Sequence, residues 1–315
     1  MNVYFDLNIF DRIEKKCNLP EQEKIIYSEL ESLIVEEQIT VPYSNAHLND
    51  LFRGYQKNPN FIEGHLKNIE RLTKNLCICQ YWNQKQAVWH FREIFEFFEE
   101  KKSDWEFEPE TFEELFTQSG LPNLLLPYKF VKLDESWKQA YNYDPMFKLM
   151  FPKSKKENTV YAVMEDIYEF QKRLKPDYSL YKKYKSHLGK SINKLKNSRE
   201  YLNSIKQNFN ELPKHLDIFE LSELHVPKNK YVKNEAYSKI LDVFYKYDLK
   251  GYKTDANYNN MFDDSLHTFY AAHCDYFVTN DDRCKYKAEK TYERLKINTI
   301  VIKADDYMII KNFNG

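Results

Sequence analysis

The stretch that most constrains the fold is 261–282, MFDDSLHTFYAAHCDYFVTNDD, where a helical pattern runs into a short strand between two pairs of carboxylates. From Asp264 onward, Leu266, Phe269, Tyr270 and His273 recur at spacings of three and four, so the segment reads as a helix that Asp264 starts. Tyr276, Phe277, Val278 and Thr279 form a β-branched and aromatic run closed by Asn280 and Asp281, which reads as a buried parallel strand ending in a turn. In an open α/β sheet, ligands bind outside the carboxyl ends of the strands. Asp264 and Asp281 can therefore face one crevice.

Two further acids have similar settings near the start of the chain. Asn2 to Phe5 is a short apolar run that delivers Asp6 at its end, before a helical stretch from Asn8 to Lys16. Gln38 to Tyr43, QITVPY, is strand-like and is followed by Ser44 as a helix N-cap, with Asp50 two turns into that helix. The amphipathic pattern at 21–36 predicts a right-handed crossover that brings Asp6 beside the 38–43 strand. All four carboxylates converge only if these strands are parallel neighbours.

A pocket of four such acids points to a hard cation. Their charges would repel one another and raise some of their pKa values unless a metal is bound. Oxygen donors with no His or Cys pair favour Mg2+ or Mn2+ over zinc. Two such cations roughly 3.5–4 Å apart would supply what phosphodiester hydrolysis needs: an activated water, a stabilised phosphorane and a neutralised leaving oxygen.

The order VYFD, SNAHLNDL and DSLHTFYAAHCDYFVTND resembles the PIN domain, a nuclease family with a central parallel sheet between helical layers. The resemblance covers about the first 55 and last 55 residues, and its C-terminal motif is the more specific part. It implies a metal-dependent nuclease in which Asp6, Asp50, Asp264 and Asp281 are the metal-binding, catalytic acids, cutting RNA more often than DNA. The family usually has Glu where this chain has Asp50.

Around those acids stand weaker candidates. Asp263 is an alternative to Asp264, which could also be a simple N-cap, and Asp281 and Asp282 could be turn formers. Thr279 is placed to orient an acid or a water, and Ser44 to assist at the second strand. His267 and His47 each share a helical face with an acid, which suits support or core packing better than ligation of a hard cation. Asp305 and Asp306, after a final strand expected at 297–302, are weaker rivals.

Composition enters at the middle of the chain. The 315 residues exceed a minimal α/β core, and 16% aromatics with only six glycines favour packed helices over disorder. Repeated helical patterns at 85–101, 110–118, 134–150, 157–174, 178–208 and 233–248 predict a mainly helical insertion over 85–255, with 1–84 and 256–315 folding together as the α/β domain. The run 76–82 is a further strand candidate. The insertion is charge-segregated: 93–114 holds ten acids against two lysines, and 171–214 holds twelve Lys or Arg against three acids.

In the basic stretch, Lys182, Lys183, Lys185 and Lys190 are interleaved with Tyr178, Tyr181 and Tyr184, a pattern that suits nucleic acid through phosphate contacts and stacking. It reads equally as a solvated helix face anchored by its tyrosines. A protein partner for the insertion is a further expectation. No apolar run reaches membrane-span length and no leader opens the chain, so a cytoplasmic protein is expected. The odd cysteine count, without zinc spacing, suits reduced thiols.

Two rival functions come from other classes. A phosphatase using Asp6 as nucleophile wants a second Asp two residues later, where Asn8 stands. A catalytically inactive scaffold of the same fold, with an insertion that binds a protein or nucleic acid, is the other.

Overall fold

The computed structural model describes residues 1–81, 84–106, 109, 111–118, 125–197, 234–251, 253 and 258–313. The two ends of the chain build one α/β sheet. β1 (Val3–Phe5) pairs in parallel with β5 (Tyr276–Val278), which pairs in parallel with β6 (Ile300–Ile302). On the other side of β1, Asn2 forms a parallel bridge to Thr40. Val3 N–H donates to the Thr40 carbonyl, and Thr40 N–H to that of Met1. A second sheet follows, with β2 (Tyr43–Ser44) parallel to β3 (Leu76–Cys79) and β3 antiparallel to β4 (Val88–Phe91).

The central strands are buried on both faces, which is why they read as unbroken apolar runs rather than alternations. Val3, Phe5, Tyr276 and Val278 join a core with Ile9, Phe10 and Leu30 of the N-terminal helices. Tyr4 and Phe277 point the opposite way, into a core with Phe269, Tyr270 and Tyr292. Each fully buried aromatic side chain contributes about 1.5–3 kcal/mol of transfer free energy. These cores hold the first and last segments together across more than two hundred intervening positions.

Helix Tyr258–Ala271 supplies Leu266, Phe269 and Tyr270 to the second core, and it is buried almost all round. It begins six residues before Asp264. Asp264 is thus a mid-helix side chain, not the residue that starts the helix, because Tyr258 and Met261 extend the apolar pattern toward the N-terminus and pack with Tyr181 and Phe244. Helix Asn45–Lys57 starts where expected. Ser44 caps it, with its hydroxyl accepting from Ala46 N–H, and His47 completes a capping box through the Ser44 backbone N–H.

The middle of the chain is largely helical: Ile94–Glu106, Phe112–Gln118, Glu135–Tyr143, Pro145–Met150, Val160–Leu174, Tyr178–Asn197 and Glu235–Leu249 are helices. Three expectations need correction. The helix expected over 85–101 is strand β4 followed by Ile94–Glu106, because Val88, Trp89 and Phe91 form a β-prone run that pairs back onto β3. The 134–150 helix breaks at Pro145, which opens a new helix capped by Asp144. The Gln38–Tyr43 strand is reduced to the Thr40 bridge and to Tyr43–Ser44. Of the helix expected over 178–208, residues beyond Asn197 lie outside the described set.

No described helix is long and apolar enough to cross a membrane. The five cysteines are all free thiols.

Candidate metal centre

Asp6, Asp50, Asp264 and Asp281 all line one cavity of about 760 Å3. Asp6 follows β1 directly, and Asp281 is the third residue after β5, so parallel pairing of these strands puts both acids at the same sheet edge. Asp50 and Asp264 reach the cavity from the helices Asn45–Lys57 and Tyr258–Ala271.

Asp6 is nearly buried, and one of its oxygens is tightly held. Thr279 Oγ1 donates to Asp6 Oδ2 at 2.6 Å, and Asn8 Nδ2 donates to the same oxygen at 2.6 Å. Thr279 in turn accepts from Asp281 N–H at 3.1 Å. Burial pushes the Asp6 carboxyl up from its ordinary value, against the opposing pull of His267 and the Thr279 hydrogen bond.

Asp50 lies between two basic side chains. His267 Nε2 lies 2.9 Å from its Oδ2, and the Arg53 guanidinium pairs with its other oxygen. Burial would raise its pKa, but the hydrogen bond and charge of His267, then Arg53, outweigh this and hold it low. The same guanidinium pairs with Asp263, which is buried. Asp263 is therefore turned to Arg53 and is absent from the cavity lining.

His267 is itself fixed from behind. Tyr4 Oη is 2.9 Å from its Nδ1 and 2.7 Å from Ser44 Oγ, so a chain of buried groups runs from Ser44 through Tyr4 and His267 to Asp50. Burial alone would lower the His267 pKa; the Asp50 hydrogen bond and the Asp6 charge raise it instead. His47 sits behind this chain as a neutral ring. Its Nδ1 accepts from Ser44 N–H and its Nε2–H donates to the Phe5 carbonyl at 2.7 Å.

The atoms that could hold a cation are unevenly distributed. Donor atoms of Asp6, Asp50 and His267 lie within 4.8 Å of one another. Asp264 and Asp281 share the cavity but not that cluster. Asp281 Oδ1 is occupied as N-cap of helix Asp282–Leu295, accepting from Arg283 and Cys284 N–H. Asp264 Oδ2 lies 3.9 Å from Lys287 Nζ. Asp282 turns outward to Lys303 at 2.7 Å. Asp305 and Asp306 lie in a short 3-10 turn after β6, away from the cavity lining.

The premise that the four acids are unpaired does not hold for Asp50 and Asp264. Arg53 places a guanidinium against Asp50 and Lys287 an ammonium near Asp264, and the His267 ring lies against Asp50 as well. Asp6 and Asp50 are a chemically suitable pair of oxygen donors for a divalent ion of the Mg2+ or Mn2+ type, with His267, both of whose ring nitrogens are engaged, supporting Asp50.

Sequence reading missed Arg53 and Lys287. Arg53 lies one turn after Asp50 on the same helix, a spacing that could have found it. Lys287 has no such local signal. Also missed was a wall of the cavity formed by Asp11, Glu14 and His65, where Glu14 accepts from the His65 ring at 2.6 Å and Asp11 pairs with Lys15.

The basic helix Tyr178–Asn197 splits into two faces. Lys182, Lys183 and Lys190 are exposed and line a shallow groove of about 580 Å3 with Ser179, Ser186 and His187. Lys185 is not on that face. It pairs at 3.1 Å with Asp248, which is fully buried. The tyrosines face inward too: Tyr181 is buried and Tyr184 packs edge-on against Phe170, so these two anchor the helix rather than offer rings for stacking. No family model, curated protein or solved structure matches this chain.

Proposed function

We propose that this chain is a PIN-like, metal-dependent nuclease that hydrolyses phosphodiester bonds in RNA and acts in the cytoplasm. The observation that carries the reading is that four acids from the two ends of the chain, Asp6, Asp50, Asp264 and Asp281, line a single cavity. A chance arrangement of turn-forming acids would scatter them over several strand ends.

Asp6 and Asp50 would hold a Mg2+ or Mn2+ ion, and Asp264 and Asp281 would supply the oxygen donors that a second one would need. Bound there, such a cation polarises a phosphoryl oxygen and lowers the pKa of a water. The chain's own residues position that chemistry. Thr279 and Asn8 fix one oxygen of Asp6, which leaves the other directed to the centre. Tyr4 fixes the ring of His267, and His267 fixes Asp50. The face carrying Lys182, Lys183 and Lys190 gives the phosphate backbone a place to lie outside the cavity.

A second reading, an inactive scaffold of the same fold whose helical middle binds a protein or nucleic acid, is favoured by one observation. Arg53 and Lys287 already neutralise two of the acids without any metal. Cleavage of single-stranded RNA and DNA with added Mn2+ distinguishes the two, comparing wild type with Asp6→Asn and Asp264→Asn. The nuclease reading expects at least a hundredfold loss in each variant. Equal cutting by all three identifies a contaminant, and RNA binding without cutting by wild type identifies the scaffold.

A further inference from the structure

Lys287 is a fully buried lysine, with its ammonium 3.3 Å from Asp248 Oδ1 and 3.9 Å from Asp264 Oδ2. Its Nζ also lies over the Phe244 ring, 4.6 Å from the centroid. Placing a charge there is costly unless partners compensate for lost water. Those partners come from two directions. Asp264 faces the acid cavity. Asp248, buried in helix Glu235–Leu249, is also held by Tyr181 Oη at 2.8 Å and Lys185 Nζ at 3.1 Å, both on helix Tyr178–Asn197.

The four helices that meet here belong to different parts of the chain. Asp264 and Lys287 lie on the C-terminal segment of the α/β unit, whereas Asp248, Tyr181 and Lys185 lie on the helical middle. A continuous line of charges and hydrogen bonds therefore runs from Lys185 and Tyr181 through Asp248 and Lys287 to a candidate cation ligand.

We propose that Lys287 is a positioning residue that couples the helical middle of the chain to the acid cavity. Its ammonium reaches both Asp248 and Asp264, and the hold of Asp248 on it affects how much negative charge Asp264 presents to a divalent cation. While Tyr181 and Lys185 keep Asp248 in place, Lys287 is drawn partly away from Asp264. If the middle helices shift, Lys287 falls back on Asp264 and opposes cation binding. A partner that grips the middle of the chain would in this way tune the site without entering it.

The inference rests on the reading that the cavity binds a divalent cation, and the two fail differently. Mn2+ affinity is measured on the full-length protein by calorimetry or electron paramagnetic resonance, with melting curves as folding controls. Neutralising Lys287, by Lys287→Met or by Lys287→Gln, which retains a donor for Asp248, is expected to tighten Mn2+ binding about tenfold. Asp248→Asn is expected to weaken it by about threefold or more, because Lys287 loses its competing partner. Lys287→Arg, which keeps the charge, is expected to stay near wild type.

Opposite signs are the signature of the electrostatic role, since a merely structural defect weakens binding in every variant. Weakened or unchanged affinity in both the Lys287→Gln and Asp248→Asn proteins overturns the coupling while leaving the cation site standing. Absence of Mn2+ binding by folded wild type overturns both.

Discussion

His267 Nε2 lies 2.9 Å from the Asp50 carboxylate, a pairing between residues 217 positions apart that joins a helix of the C-terminal segment to one near the start of the chain. With Tyr4 behind it, this imidazole makes the acid cavity a product of both ends of the polypeptide.

Replacing His267 by Phe keeps most of the volume but leaves Tyr4 Oη without its ring partner and Asp50 with Arg53 alone. We expect a loss of about 1–3 kcal/mol in stability from the two hydrogen bonds removed. Urea denaturation measures it, and a loss below a few tenths would show that the chain from Tyr4 to Asp50 contributes nothing net.

Arg53 bridges Asp50 and Asp263, and Asp263 is only 5% exposed. Arg53→Ala should cost about 1–3 kcal/mol, less than a fully buried pair because the guanidinium is partly in water. Adding Asp263→Asn should recover much of that loss if the penalty comes from the buried charge. No recovery in the double variant would place the cost elsewhere.

His47 carries a pH signature. Burial, reinforced by nearby His267, pushes its pKa down to about 3, whereas an unfolded histidine titrates near ~6.5. Between these values the unfolded chain binds a proton that the folded chain does not. Stability therefore falls as pH drops through this window, by up to ~1.4 kcal/mol per pH unit. His267 has the opposite sign: its folded pKa is raised, so its contribution is complete below the unfolded value and is lost as pH rises through the folded one. Stability curves for His47→Gln should be flatter on the acid side than those of wild type. An unchanged acid limb would rule out this assignment.

The lysines of helix Tyr178–Asn197 should behave in two classes. Charge reversal at Lys182, Lys183 or Lys190 is expected to lower the salt dependence of RNA binding by roughly 0.7 in the log-log slope for each phosphate no longer neutralised, with little effect on stability. Lys185→Glu should instead destabilise the fold by about 3 kcal/mol, because it faces buried Asp248. Identical behaviour of Lys183 and Lys185 variants would contradict the two faces.

Several features of this protein were legible in the residues alone. The apolar runs at Val3–Phe5 and Tyr276–Val278 marked buried parallel strands, and the acids after them marked a sheet edge, because strand burial and turn chemistry are written in neighbouring residues. The Ser44 cap was legible for the same reason. Ala87 to Phe91 was not, since a short apolar run carries no period long enough to separate strand from helix; only pairing with β3 decided it. Asp264 was misplaced at a helix start because an acid before an apolar run resembles a cap, whereas Tyr258 and Met261 extend the helix by packing on distant helices. What tertiary structure alone decided is the charge balance of the cavity. Asp50 meeting His267, and Asp264 sharing Lys287 with Asp248, are distances between remote segments, and no local periodicity encodes which buried cation will lie beside which acid.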